Sequence, residues 1–240
     1  MHVETLTYEA DGLSMRSEFF VDTSKPGTRP GVLVFPEAFG LGEHAIEIAQ
    51  KLAELGYAAL ACDLHGDAAL ITDFPRLMGL MGPLREDASA IRARCQGALT
   101  ALVTQDTVDP SKVFAIGYCF GGSMAFELAR DGADLLGAVS IHGGLTTPDP
   151  DGAAKVKARL LVLIGSADSQ VDASARDAFE AEMHKAGTVD WRMNIYGGVV
   201  HSFTNPAADH FGQLDVFRYD ANADARSWKE TIEFFTDVLG

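Results

Sequence analysis

Basic residues are scarce in this chain. Nineteen lysines and arginines stand against 34 aspartates and glutamates, a formal charge of −15. No basic stripe appears, which argues against a nucleic-acid partner. Such acidity repels polyanions at long range but leaves room for a small anionic ligand where the local field differs. Cysteine is also scarce. Cys62, Cys95 and Cys119 form an odd set with no paired spacing, which argues against a disulfide framework or a zinc site and fits a reducing compartment. No stretch approaches the roughly 18 apolar residues needed to span a bilayer. The opening residues Met1-His2-Val3-Glu4-Thr5 lack the basic and apolar regions of an export signal. The expectation is a cytoplasmic protein with no membrane partner, as a monomer or small homo-oligomer. Repeats, low-complexity segments and inter-domain linkers are likewise missing. The 240 residues are therefore expected to form one α/β domain over 1–240, with 47% hydrophobic content supplying its core.

What is present is an alternation of strand and helix patterns. Val3 to Tyr8 and Leu13 to Val21 flank Asp11-Gly12, a hairpin signal. Gly31-Val32-Leu33-Val34-Phe35 reads as a buried strand ended by Pro36. Helical periodicity runs from Glu43 to Leu55, with Ile46, Ile48, Ala49, Leu52 and Leu55 apolar and Gly56 as the stop. Tyr57 to Cys62 is the next strand, and Ala225 to Leu239 reads as a closing helix. Such alternation predicts a mostly parallel sheet with helices on both faces. Leu77-Met78-Gly79-Leu80-Met81-Gly82-Pro83 is the odd stretch. It fits either a helix-end packing patch or part of a lid.

The most informative segment is Gly117-Tyr118-Cys119-Phe120-Gly121-Gly122. It follows the apolar run Val113 to Ile116 and precedes a helical pattern, Ser123 to Arg130. Strand, sharp turn and helix, with G-x-C-x-G at the corner, make a nucleophile elbow. Glycine is needed on both sides because any larger side chain would meet the strand or the helix start. The apex is forced into strained geometry with its side chain in a cleft. A buried inert thiol is the alternative for Cys119, and Ser123 lies a turn too far along to be the apex. Candidate partners follow in the order acid, then histidine. The strand Leu160 to Gly165 leads to Asp168, with Asp172 as its rival. The strand Arg192 to Tyr196 leads through Gly197-Gly198 to His201, with His142 and His210 as rivals. His142 follows the strand Ala138 to Ile141, where loop hydrogen bonding is the expected role. A histidine placed to take the thiol proton, oriented by a carboxylate, would activate Cys119 for acyl transfer.

Together with Phe35-Pro36-Glu37-Ala38-Phe39-Gly40, Gly165-Ser166-Ala167-Asp168 and His201-Ser202-Phe203, this elbow resembles the dienelactone hydrolase family of α/β-hydrolases. The four segments occur in the family's order from 35 to 203. The resemblance implies an α/β-hydrolase fold and cleavage of a small ester or lactone through a thioester on Cys119. His201 would then be the proton shuttle and Asp168 its orienting acid. Glu37 would hold the resting thiol, and the amides of Ala38 and Phe120 would form the oxyanion hole. No metal or organic cofactor is implied. The family's dienelactone-opening members clamp the substrate carboxylate with arginines, one of them four residues after the histidine. Asn205 stands there in this chain, and an amide does not replace a bidentate guanidinium. Arg76 and Arg85 are the candidates for the second clamp. Three alternatives compete: an esterase or lactonase outside aromatic degradation, a thiol sensor in which Cys119 is oxidised, and a binding scaffold.

Overall fold

The computed structural model describes residues 1–240 as eight strands and six α-helices. The strands are β1 (His2–Ala10), β2 (Leu13–Val21), β3 (Arg29–Phe35), β4 (Ala58–Ala61), β5 (Val108–Tyr118), β6 (Gly137–Ile141), β7 (Arg159–Gly165) and β8 (Trp191–Tyr196). They form one sheet in the order β1-β2-β4-β3-β5-β6-β7-β8. β1 and β2 pair antiparallel, as do β2 and β4, and every pairing from β4 through β8 is parallel. The predicted hairpin is present: Asp11 and Gly12 both take positive φ, 50° and 69°, as a two-residue primed turn requires.

The helices are α1 (Glu43–Glu54), α2 (Phe74–Glu86), α3 (Ala88–Val103), α4 (Phe120–Arg130), α5 (Ala173–Ala186) and α6 (Ala221–Leu239). They cover both faces. Because strand side chains alternate, Val32, Val34, Phe114 and Ile116 point to one side, where α1 and α6 bury Leu52, Phe234 and Phe235. Leu33, Phe35, Val113 and Ala115 point to the other, against α3, α4 and α5. Filling both faces explains the near-continuous apolar strands, such as the fully buried Val32 to Phe35.

Helix boundaries follow local chemistry. Gly56, at φ 101°, follows the end of α1 where the sequence placed the stop. The carboxylate of Asp73 caps α2, accepting from Arg76 N–H at 2.9 Å. The 77–83 stretch lies inside α2, which continues through Pro83. Leu77 and Met81 are buried there, whereas Met78 and Leu80 are exposed. None of the helices is long and apolar enough to cross a membrane.

An ionic cluster that no sequence pattern announces joins α3, α4 and α5. Arg130 is fully buried and forks onto both carboxylate oxygens of Glu182 at 2.8 Å. It also reaches Glu127 at 3.1 Å, and Arg92 bonds the other oxygen of Glu127 at 2.8 Å. Each buried charge is thereby paired, the condition under which such burial is tolerated.

Candidate active site

The C-terminal ends of the parallel strands converge on one edge of the sheet, where open α/β sheets place their ligands. Cys119 follows β5 at φ 53°, ψ −119° and starts α4. That backbone is costly for a residue with a Cβ. Its neighbours show why the turn needs glycine. A Cβ on Gly117 would collide with the Gly121 main chain, and one on Gly121 with the carbonyls of Phe35 and Pro36. The strand carrying the thiol and the loop after β3 are therefore in backbone contact through Gly121.

The buried imidazole of His201 makes a 2.8 Å hydrogen bond from Nδ1 to Asp168 Oδ2. Asp168 Oδ1 accepts from the backbone N–H groups of Gln170 and Val171, at 2.8 and 3.3 Å. The carboxylate is thus fixed before it meets the ring. Asp172 instead caps α5, accepting from Ala175 N–H at 3.0 Å and from the Ser174 hydroxyl. Of the two carboxylates, Asp168 is the one against the imidazole. His201 Nε2 is buried and makes no hydrogen bond. His201 and Cys119 line one cavity of about 340 Å³, with Phe120, Ser123, Leu84 and Arg85. Burial opposes a charge on His201, but the charge on Cys119 and the Asp168 contact outweigh it and push the imidazole up to about 10.

The backbone donors are arranged by small local features. The Glu37 carbonyl accepts from Gly40 N–H at 3.0 Å. In a trans peptide this turns the Ala38 N–H to the opposite side, where it makes no hydrogen bond within the chain. Gly40 sits at φ 102°, and a Cβ there would strike the Ala69 carbonyl. The Ala38 carbonyl is held in turn by His65 Nε2 at 2.8 Å. His65 is set by Asp63, whose carboxylate accepts from the N–H groups of Arg16, His65, Gly66 and Ala68. Phe120 N–H is the first of α4 and belongs to the helix-start donors that lack an intrahelical partner.

Three candidates lie away from the Cys119 cavity. Glu37 makes no hydrogen bond to Cys119. Its Oε1 accepts from His44 Nδ1 at 2.6 Å and from Asn205 Nδ2 at 2.9 Å. Burial opposes its ionisation, but the His44 and Asn205 contacts prevail and hold the carboxyl below its usual range. Asn205 therefore sits on Glu37 and on a second cavity, about 520 Å³, shared with His44, Phe39 and Phe211. Neither Glu37 nor Asn205 lines the Cys119 cavity. Arg76, on the first turn of α2, lines neither cavity, whereas Arg85, on its last turn, lines that of Cys119. No three His, Cys, Asp or Glu side chains are grouped to hold a metal ion.

Sequence reasoning missed His44, His65 and the Arg92–Glu127–Arg130 cluster. Only the position of His44, seven residues after Glu37 and at the start of α1, could have suggested its role. His142 was expected to hydrogen-bond its loop. Its Nδ1 instead meets the Cys119 turn, 3.0 Å from Cys119 N.

A mostly parallel eight-stranded sheet covered on both faces, with a strand–turn–helix elbow at its C-terminal edge, defines an α/β-hydrolase. The sequence profile of the dienelactone hydrolase family matches residues 18–239, and the chain belongs to that family. Two similar solved structures are m3DLH, 44% identical, and the dienelactone hydrolase-like promiscuous phosphotriesterase P91 from metagenomic libraries, 42% identical. Each superposes with a TM-score of 0.94 over 99% of this chain and 98% of the other. Among curated relatives, a Methylorubrum extorquens protein provisionally named carboxymethylenebutenolidase is 28% identical. That match covers 80% of this chain and 72% of the relative.

Proposed function

We propose that this hydrolase cleaves small esters or lactones through a thioester on Cys119. The observation that carries the reading is the buried His201–Asp168 pair at 2.8 Å, with Nε2 unpartnered and His201 lining the same cavity as Cys119. In this reading the Cys119 proton already rests on His201, and Sγ attacks the acyl carbon from that ion pair. The carbonyl π pair moves onto oxygen, where the Ala38 and Phe120 amides receive it. Removing one such donor costs roughly 3 kcal/mol of barrier. As the tetrahedral intermediate collapses, His201 returns the proton to the leaving oxygen and the thioester forms. Water, deprotonated by His201, then attacks the thioester and releases the acid and the thiol. Asp168 keeps the Nδ1–H tautomer throughout and stabilises the imidazolium.

Esters and lactones are favoured because a 340 Å³ cavity suits a small acyl group. Arg85 supplies a cation at its wall without a carboxylate partner. The likeness to a phosphotriesterase over nearly the whole chain supports a second substrate class, neutral phosphotriesters attacked by the same thiol. The test is an activity screen on p-nitrophenyl esters, small lactones and a p-nitrophenyl phosphotriester, wild type beside Cys119→Ala. The variant is expected to lose turnover of every substrate the wild type accepts. Ester activity in Cys119→Ala within tenfold of wild type would overturn the assignment of the nucleophile.

A further inference from the structure

His142 is fully buried at the end of β6, yet sits at φ 40°, where a non-glycine residue is uncommon. Such strain persists where the surroundings over-determine the conformation. Both ring nitrogens are engaged here. Nδ1 lies 3.0 Å from Cys119 N–H, a donor shared with the Ile141 carbonyl at 3.0 Å. An N–H only donates, so Nδ1 is an acceptor and the neutral ring carries its proton on Nε2. Nε2–H then donates to the buried Thr204 hydroxyl, 2.9 Å away. The imidazole thus ties the main chain of the nucleophile turn to the loop that carries His201.

The same ring stands edge-on to His201, with centroids 5.1 Å apart and planes at 62°. A charge on His142 would oppose protonation of His201. Burial, reinforced by the charges on His201 and His44, holds His142 well below its usual value. It stays neutral while its neighbour takes up and returns the proton.

We propose that His142 is a positioning residue for acyl transfer, holding the Cys119 turn and the His201 loop in one geometry through its Nδ1 contact to Cys119 N–H and its Nε2–H bond to Thr204. This rests on Cys119 being the nucleophile. The separation of thiol and imidazole sets the ease of proton transfer, and a misplacement near 1 Å costs on the order of a hundredfold in rate. The strut spans the two segments whose relative placement fixes that separation.

Two variants cut the strut from opposite ends. His142→Asn tolerates the positive φ and keeps an oxygen near Cys119 N–H, but is too short to reach Thr204. Thr204→Val keeps the shape and removes the acceptor. Competent sites are counted by stoichiometric iodoacetamide labelling and intact mass, and kcat/KM for p-nitrophenyl acetate is expressed per competent site. Each variant is expected to lose roughly 10- to 100-fold, with Thr204→Ser close to wild type. The double variant is expected to be no worse than the poorer single, because both remove the same bond. A single variant within twofold of wild type, additive losses, or a loss confined to the number of competent sites would each overturn the proposal. Labelling of wild-type Cys119 that leaves turnover intact would instead refute the nucleophile, a separate failure.

Discussion

Asp168→Asn is the sharpest perturbation of the proposed triad. Asp168 is 2% exposed and holds three donors: His201 Nδ1 on Oδ2, and the Gln170 and Val171 amides on Oδ1. Asparagine fits the same space. The two backbone N–H groups require its oxygen on their side, which turns its NH2 toward His201 Nδ1. A donor there forces Nδ1 to accept, and the imidazole proton moves to Nε2. The nitrogen facing Cys119 then cannot take the thiol proton. The lost charge-assisted hydrogen bond is worth about 1.5–3 kcal/mol, roughly a 10- to 150-fold change in rate. The wrong tautomer adds to this. In serine-protease triads the corresponding exchange costs about 10⁴ in kcat. A thiol depends less on its base than a hydroxyl does, so we expect a loss between about 10² and 10⁴ here.

The assay is kcat/KM for p-nitrophenyl acetate across a pH series, with Asp172→Asn as the control. Asp172 is exposed and caps α5. Asparagine caps a helix about as well as aspartate, so this exchange should leave stability near wild type and cost less than twofold in rate. Asp168→Asn within tenfold of wild type at every pH, or Asp172→Asn as damaging as Asp168→Asn, would refute the reasoning.

Two further outcomes follow from the charges at the site. The His201 imidazole, pushed up to about 10 largely by the charge on Cys119 against the pull of burial, contributes stability that is fully present below about 6.5 and lost as pH rises through about 10. In Cys119→Ala its titration, followed by imidazole NMR, should move down by at least one pH unit; an unchanged midpoint would refute the coupling. For substrate charge, Asn205 is committed to Glu37 while Arg85 lines the Cys119 cavity. The preference of wild type for a carboxylated butenolide over a neutral lactone should therefore stay below about a hundredfold, the value of a buried bidentate clamp. That ratio should fall further in Arg85→Gln, and an undiminished ratio would remove Arg85 from substrate recognition.

The features legible in the sequence are those enforced by local sterics. The elbow could be read from Gly117 and Gly121 because main chain occupies the space of their missing side chains, that of the helix start at Gly117 and that of the loop after β3 at Gly121. The hairpin at Asp11-Gly12 and the stop at Gly56 were readable for a similar reason, since their positive φ values demand particular residues. Asp168 and His201 were readable because each follows a parallel strand at the sheet edge. Side-chain partnerships across the fold were not. Glu37 meets Asn205 from 168 residues away and His44 from the start of α1, and no spacing rule links the three. His142 carries no motif either: its role depends on Thr204, 62 residues further on. The Arg130–Glu182 fork is equally silent, since its two residues lie 52 positions apart on different helices.

Glu37 shows how a family motif can be kept while its chemistry is redistributed. Both of its hydrogen-bonded partners land on Oε1, and one of them is the histidine that opens α1. To take a proton from Cys119, Glu37 would first have to weaken its 2.6 Å contact with His44. Charge-assisted hydrogen bonds of that kind are worth about 1.5–3 kcal/mol. His201 Nε2 carries no such cost, because it has no partner to give up. In the proposed mechanism the thiol proton therefore goes to His201 from the outset. Asn205 favours the same outcome from the other side. An arginine at 205 would compete with His44 for Glu37 and bring a guanidinium toward the catalytic loops. The amide bonds the carboxylate without adding charge. Glu37, His44 and Asn205 thus read as one fixed unit beside the oxyanion loop, which leaves activation of Cys119 to His201 and Asp168.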